Sequence, residues 1–237
     1  MTAVMGIVNV TPDSFSDAGR FLETESAMAH ARVMVLGGAS IIDFGAESTR
    51  PGFAPVPPKE EMARLRGVFA EARSELPGTG LSIDTRNPET AAAAIDAGFG
   101  WVNCVDPDAV PEMAKLCARS SVKLIMPAKS WTCGGAIRDM IDENLVYIDP
   151  MIGFGTTREE DIALFKSIGE LSKIRPTVIG ISRKRVIGHI TGVTDPAKRD
   201  SASIAAAVLA SMEGAAIVRV HDAAGTFQAL KILEALA

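Results

Sequence analysis

The chain has 237 residues, 24 Lys and Arg against 29 Asp and Glu, a net charge of −5 and 47% hydrophobic residues. Such a chain can bury a sizeable core, which excludes disorder, and it has no overall basic field of the kind a nucleic-acid partner calls for. No apolar run approaches the roughly 18 residues of a membrane span, so no membrane partner is expected, and the opening MGIVNVTPD lacks the features of a signal peptide.

In chain order, eight short runs rich in Val, Ile and Leu stand out: VMGIVNV, SIIDFG, GLSID, GWVNCV, VKLIM, LVYID, TVIGI and AAIVRV. They are nearly continuous in apolar residues, as parallel strands buried on both faces are. Helical periods separate them. Residues 24–37 and 58–76 are amphipathic, with Met62, Leu65, Phe69, Ala72 and Leu76 at spacings of three or four. Asn87 as N-cap and Pro88 at the first position open an Ala-rich helix. Further helices are expected at about 108–119, 157–173, 200–213 (capped by Asp200 or Ser201) and 224–236. Only about 18 residues join the fifth and sixth runs, room for one short helix near 136–143.

Alternation of strand and helix over the whole length predicts an α/β fold, a (β/α)8 TIM barrel, as a single domain over residues 1–237 with a shortened connection between strands five and six. An open doubly wound sheet is the alternative. Cys104, Cys117 and Cys133 form no C-x-x-C pair, which points to a reduced, cytoplasmic setting rather than zinc or redox chemistry.

The expected strands end, in order, at Asn9, Asp43, Asp84, Asn103, Met126, Asp149, Ser182-Arg183-Lys184 and Arg219-Val220-His221. Such ends carry the chemistry of these barrels. A single polar residue there is ordinarily a cap or turn former; seven of eight ask for a ligand. Asp43, Asp84, Asn103 and Asp149 suit a flat heterocycle with several N–H donors, since a carboxylate accepts two parallel hydrogen bonds from an amidine-like edge. Arg183, Lys184, Arg219 and His221 suit a phosphate or diphosphate. Thr11, Asp13, Ser14 and Phe15, after strand one, and Glu47 to Gly52, after strand two, read as lid loops. His30 is expected at the surface or in packing, and His189 in a loop rather than as a ligand. Trp101, Trp131 and the methionines at 28, 34, 62, 113 and 212 are expected to pack.

GIVNVTPDSFSD, IIDFGAESTRPG, SIDT, ISRKRVIG and IVRVHD together resemble the motifs of dihydropteroate synthases, from residue 4 to residue 236. The resemblance implies a transferase of folate biosynthesis that joins 6-hydroxymethyl-7,8-dihydropterin diphosphate to p-aminobenzoate and releases diphosphate, with Mg2+ present. It implies pterin binding by Asp84, Asn103, Asp149 and Lys184, with Asp43 supporting that wall. It implies diphosphate binding by Asn9, Arg219 and His221, with Asn9 near the metal, and p-aminobenzoate binding by Thr49, Arg50 and Arg185. Asp84, Lys184 and Arg219 would carry the catalysis. The partners are then small-molecule substrates, and a homodimer is compatible.

The chain departs from the family's usual pattern at Ala46, at Cys104 (an expected loss of one carboxylate from the pterin wall), at Pro127-Ala128 and at Met151, where Gly is usual. Two other readings stay open: a catalytically impaired pterin-binding homologue, and a pterin-dependent methyltransferase barrel that works with a corrinoid protein.

Overall fold

The computed structural model of the chain describes residues 2–10, 17–47 and 56–236. The expected lid residues Thr11, Asp13, Ser14 and Phe15, and the expected p-aminobenzoate residues Thr49 and Arg50, lie outside the described residues.

The elements alternate as the sequence predicts. They run β1 (Ala3–Asn9), α1 (Asp17–Leu36), β2 (Ile41–Gly45), α2 (Pro58–Glu75), β3 (Gly80–Asp84), α3 (Pro88–Asp96), β4 (Trp101–Asn103) and α4 (Val110–Ser120). There follow β5 (Lys123–Pro127), α5 (Ala128–Cys133), α6 (Gly135–Arg138), β6 (Val146–Asp149), α7 (Arg158–Lys166) and α8 (Ile168–Ile174). The chain ends with β7 (Val178–Ile179), α9 (Arg185–Thr191), α10 (Asp200–Met212), β8 (Ile217–Val220) and α11 (Ala223–Leu236). All ladders are parallel, in the order β6-β5-β4-β3-β2-β1-β8-β7. A parallel bridge between Ile148 and Thr177 brings β6 to the start of β7 and closes the ring. The fold is therefore a (β/α)8 barrel.

Strand side chains alternate between two surroundings, as a two-residue period requires. Ile42, Phe44, Ile83, Val102 and Val218 belong to the large cluster shared with the helices. Met5, Ile41, Trp101, Ile125, Val178 and Ile217 form a separate small cluster, the apolar layer inside the barrel, with Tyr147 packed against it. Two residues further along the same faces come Asp43, Asn103, Asp149, Gly180 and Arg219. The polar site is thus the next layer of the barrel interior. Fully burying an Ile or Phe is worth about 1.5–3 kcal/mol, so the outward Ile42 and Phe44 fix the register that turns Asp43 inward.

Several local expectations change. The fifth connection holds two short helices, α5 and α6, starting directly after the strand, instead of one at 136–143. The expected helix 157–173 breaks at Ser167, and α9 was not foreseen. Asn87 takes the N-cap position without capping, because its side chain donates to Glu61 Oε2 at 2.7 Å. Arg199, not Asp200 or Ser201, is the N-cap residue of α10. Trp101 and Trp131 are buried as expected, but Met212 is exposed.

Candidate active site

Five side chains from four strands meet in one bonded set. Asp43 is fully buried; its Oδ1 accepts from Ser82 Oγ at 2.5 Å, and its Oδ2 accepts from Asn103 Nδ2 at 3.0 Å. Arg219 Nε donates to the same Oδ2 at 2.6 Å, and Arg219 Nη2 donates to Asp84 Oδ2 at 2.6 Å. The ladder explains the meeting: Gly45 stands between Asn9 and Asp84 across three strands, and Asp84 pairs in register with Asn103. A Cβ on Gly45 would lie 3.4 Å from that of Asp84, so this glycine leaves Asp84 its place.

The geometry redraws the division expected from the sequence. Arg219 reaches across into the acidic ring and binds two of its carboxylates. Arg183 turns away, its Nε and Nη2 paired with Asp200 at 2.6 and 2.7 Å. His221 stays with the basic side; its Nδ1 lies 3.0 Å from Ser182 Oγ. Asn9, at the exposed end of β1, opens onto the strand-end face. Arg185 is exposed at the first position of α9.

Lys184 sits with the acidic side. Its Nζ donates to Ile152 O at 2.5 Å and lies 4.6 Å from the centre of the Phe154 ring. The β6–α7 loop makes this seat, pinned by buried Asp161, whose carboxylate accepts from Gly153 N at 2.6 Å, Thr156 Oγ1 and Arg158 Nη1. Asp149 Oδ1 accepts from Met151 N at 2.7 Å. A Cβ built on Gly180 would lie 3.8 Å from both Asp149 Oδ2 and Lys184 Nζ and 4.0 Å from Arg219 Cδ, so this bare strand position joins the two groups of residues.

Burial shifts the titrating groups. It raises the Asp84 carboxyl to about 7 against the opposing pull of Arg219, with Asp43 and Glu61 adding to the rise. It lowers the Lys184 ammonium to about 8, against the opposing influence of Asp149. Burial also pushes Asp149 up, with Lys184 countering. Burial opposes the charge on Arg219, but Asp43 and Asp84 outweigh it and move its pKa up. A carboxyl and an amine both drawn toward neutrality in one interior layer are what catalytic sites use.

Two departures have physical meanings. Cys104 follows the inward Asn103, so it points outward: it is buried in the helix-facing core, its Sγ 3.4 Å from Asp106 O, and burial lifts its thiol to about 12. It therefore removes nothing from the polar wall, contrary to expectation. Met151 has φ +64°, a left-handed conformation costing about 1–2 kcal/mol for a side-chain-bearing residue. Met151→Gly relieves that cost and adds about 0.5–1 kcal/mol of backbone entropy loss. The expected result is a gain of up to about 1.5 kcal/mol in unfolding free energy by urea titration; a loss would show that the Met151 side chain contributes more than its backbone costs.

Sequence reading missed Ser82 and Glu61, and gave Ser182, named at the end of the seventh strand, no role of its own. Glu61 is fully buried, and its Oε2 accepts from Thr85 Oγ1, Asn87 Nδ2 and Thr90 Oγ1 at 3.0, 2.7 and 2.6 Å, while Oε1 has no hydrogen-bond partner among the described residues. It fastens the loop after Asp84 to α2. The signal was present: Glu61, Leu65, Val68 and Ala72 form one helical stripe, and a carboxylate on a buried stripe needs partners. Glu47 fixes the base of the second loop, accepting from Arg86 Nη2 at 2.5 Å and Val56 N at 3.0 Å.

Comparison with known proteins bears on this geometry. The family model for pterin binding enzymes matches residues 5–133 and 136–221. A dihydropteroate synthase from Neisseria meningitidis serogroup C is 37% identical, over 98% of this chain and 92% of its own length. Dihydropteroate synthase from Xanthomonas albilineans, solved with 4-aminobenzoic acid, superposes with a TM-score of 0.92 at 35% identity, covering 99% of this chain and 93% of that one. The enzyme from Anaplasma phagocytophilum, solved with 6-hydroxymethylpterin-monophosphate, gives 0.91 at 32% identity, covering 100% and 99%.

Proposed function

The chain belongs to the pterin binding enzyme family, and from that premise we propose that it is a dihydropteroate synthase, condensing 6-hydroxymethyl-7,8-dihydropterin diphosphate with p-aminobenzoate in folate biosynthesis. Full-length relatives of that activity support the reading. The observation that carries it is the joined set of Asp43, Asp84, Asn103 and Arg219 beside Asp149 and Lys184 in the upper layer of the barrel.

In this reading Asp84, Asn103, Asp149 and Lys184 hold the pterin ring. Asp43 works behind them, since both its oxygens are engaged by Ser82, Asn103 and Arg219. Asn103 gives its amide N–H to Asp43, which leaves its carbonyl to accept from the heterocycle. Asn9, Arg219 and His221 hold the diphosphate. Arg185, with Thr49 and Arg50, borders p-aminobenzoate. The C–O bond to diphosphate breaks with its electron pair leaving on oxygen, the arylamine nitrogen forms the new C–N bond, and a proton is then lost from nitrogen. Asp84 in its charged form stabilises the positive charge that builds on the pterin methylene, and Arg219 the negative charge on the leaving group.

Mg2+ fits as a cofactor that neutralises diphosphate. Asn9, exposed at the end of β1, would hold the ion together with substrate phosphates, as magnesium commonly is held. A homodimer is part of the proposal, supported by exposed apolar pairs at same-face spacing on three neighbouring helices: Val33 and Leu36, Leu209 and Met212, and Ile232 and Leu236. A cytoplasmic setting is supported by the free thiols Cys104 and Cys117 in the core. Among the described residues no helix is long and apolar enough to cross a membrane.

The test is complementation of a bacterium deleted for its own dihydropteroate synthase. Growth without folate end products is expected from this chain and not from its Asp84→Asn variant; absence of growth with the soluble wild-type chain accumulated in the cells counts against the reading.

A further inference from the structure

Behind the site lies a buried arginine that touches no substrate-facing side chain. Arg199, 6% exposed, spends its guanidinium on backbone carbonyls: Nε donates to Val193 O at 2.9 Å, Nη2 to Thr194 O, and Nη1 to Arg183 O at 2.9 Å and Lys184 O at 3.4 Å. An apolar side chain would fill the same slot without the cost of desolvating a charge, but it would strand those carbonyls. Gly188 in α9 makes the slot, since a Cβ there would lie 2.7 Å from the guanidinium carbon.

The rest of the first turn of α10 grips the same short segment. Ser203 Oγ accepts from Arg183 N at 3.0 Å and donates to Arg199 O at 2.7 Å, and Asp200 takes the Arg183 side chain. Arg183 is thus held at its N–H, its carbonyl and its guanidinium. That explains how a non-glycine residue keeps φ +59°: surrounding contacts over-determine a sparsely populated conformation. The turn sends Arg183 outward to Asp200 and lets the next residue, Lys184, reach inward to Ile152 O, on the side of the site where Asp149 acts on its charge.

We propose that Arg199 is a positioning residue: by clamping the carbonyls of Arg183 and Lys184 against those of Val193 and Thr194, it holds the backbone turn that delivers the Lys184 ammonium to the pterin side of the site. The proposal deepens the synthase reading and rests on it for the word pterin, but the placement of Lys184 is testable alone.

The experiment follows Lys184 in folded Arg199→Lys, which keeps the charge and loses the fork. Labelling with an amine-acylating reagent across pH, read by peptide mass spectrometry, reports when Lys184 becomes an amine. Asp149, Asp84 and Asp161 face that amine and favour its charge, while Arg219 and burial oppose it. In the wild type half-labelling is expected at about pH 8. In the variant it should move toward the ordinary lysine value of about 10.4, and affinity for 6-hydroxymethyl-7,8-dihydropterin diphosphate should fall about tenfold, about 1.4 kcal/mol. A folded variant with the wild-type labelling midpoint and affinity within twofold overturns the proposal. If Arg199→Lys does not fold, Gly188→Ala, whose added methyl displaces the fork, decides by the same readings. A wild-type chain that binds no pterin sinks the synthase reading instead, and the labelling result still judges Arg199.

Discussion

Arg219→Ala is expected to lower the unfolding free energy by about 3–5 kcal/mol at neutral pH, the usual cost of removing one partner from a buried ion pair, and to weaken both pterin and diphosphate binding. From sequence alone Arg219 belongs to the diphosphate side, and its loss would weaken diphosphate binding far more than pterin binding. The two bonds of 2.6 Å to Asp43 and Asp84 change that expectation. Asp43 is fully buried and Asp84 nearly so, so the variant leaves two carboxyls without their cation in the wall that reads the heterocycle.

The stability loss has a predicted pH dependence. Asp84 is raised to about 7 even with Arg219 lowering it, so the variant raises it further. A carboxyl raised on folding contributes stability that is present below its unfolded value, near 3.9, and is lost as pH rises through its folded value. The difference between wild type and Arg219→Ala should therefore be small near pH 4 and largest above pH 7, by urea unfolding at each pH. Adding Asp43→Asn and Asp84→Asn should recover part of it. A deficit that is the same at every pH would show that Arg219 acts by packing rather than by charge.

Asp84→Asn is expected to cut kcat by about 10²–10³, the scale of losing one preorganised electrostatic contact to a transition state, with a much smaller change in pterin affinity. An amide keeps the shape and a hydrogen bond but supplies no charge to the pterin methylene. In the wild type, kcat/KM against pH should be a narrow bell. Its acid limb reflects Asp84, which must be charged and titrates at about 7; its alkaline limb reflects Lys184, which must be protonated and titrates at about 8. Asp84→Asn should lose the acid limb and Lys184→Gln the alkaline one. A flat profile between pH 6 and 9 in the wild type would mean that neither group titrates in the rate-limiting step.

Most of the strand-end residues were legible in the sequence because each barrel strand is a short apolar run that stops on a polar group. Asp84, Asn103 and Asp149 end their strands in the structure as they do in the reading. What was not legible follows from direction and reach. The two-residue period would have turned Cys104 away from Asn103, and would have paired Ser82 with Asp84 on the inner face. Arg219 was read by its charge, but its long side chain reaches past β1 to Asp43 on β2, a reach no one-dimensional spacing shows. The positive φ of Arg183 is likewise silent in a sequence, because glycine, its ordinary signal, is absent, and that of Met151 shows only through the Gly usual there in the family. Helix α9 was hidden because its seven residues are too few to display a period.

The most direct measurement mixes purified chain, Mg2+ and 6-hydroxymethyl-7,8-dihydropterin diphosphate with and without p-aminobenzoate, and quantifies diphosphate and dihydropteroate together. A synthase with this site releases diphosphate in step with dihydropteroate, one for one, when the arylamine is present. Tight binding of the pterin substrate with no dihydropteroate formed from p-aminobenzoate would contradict that function and leave a pterin-binding barrel without the transfer chemistry.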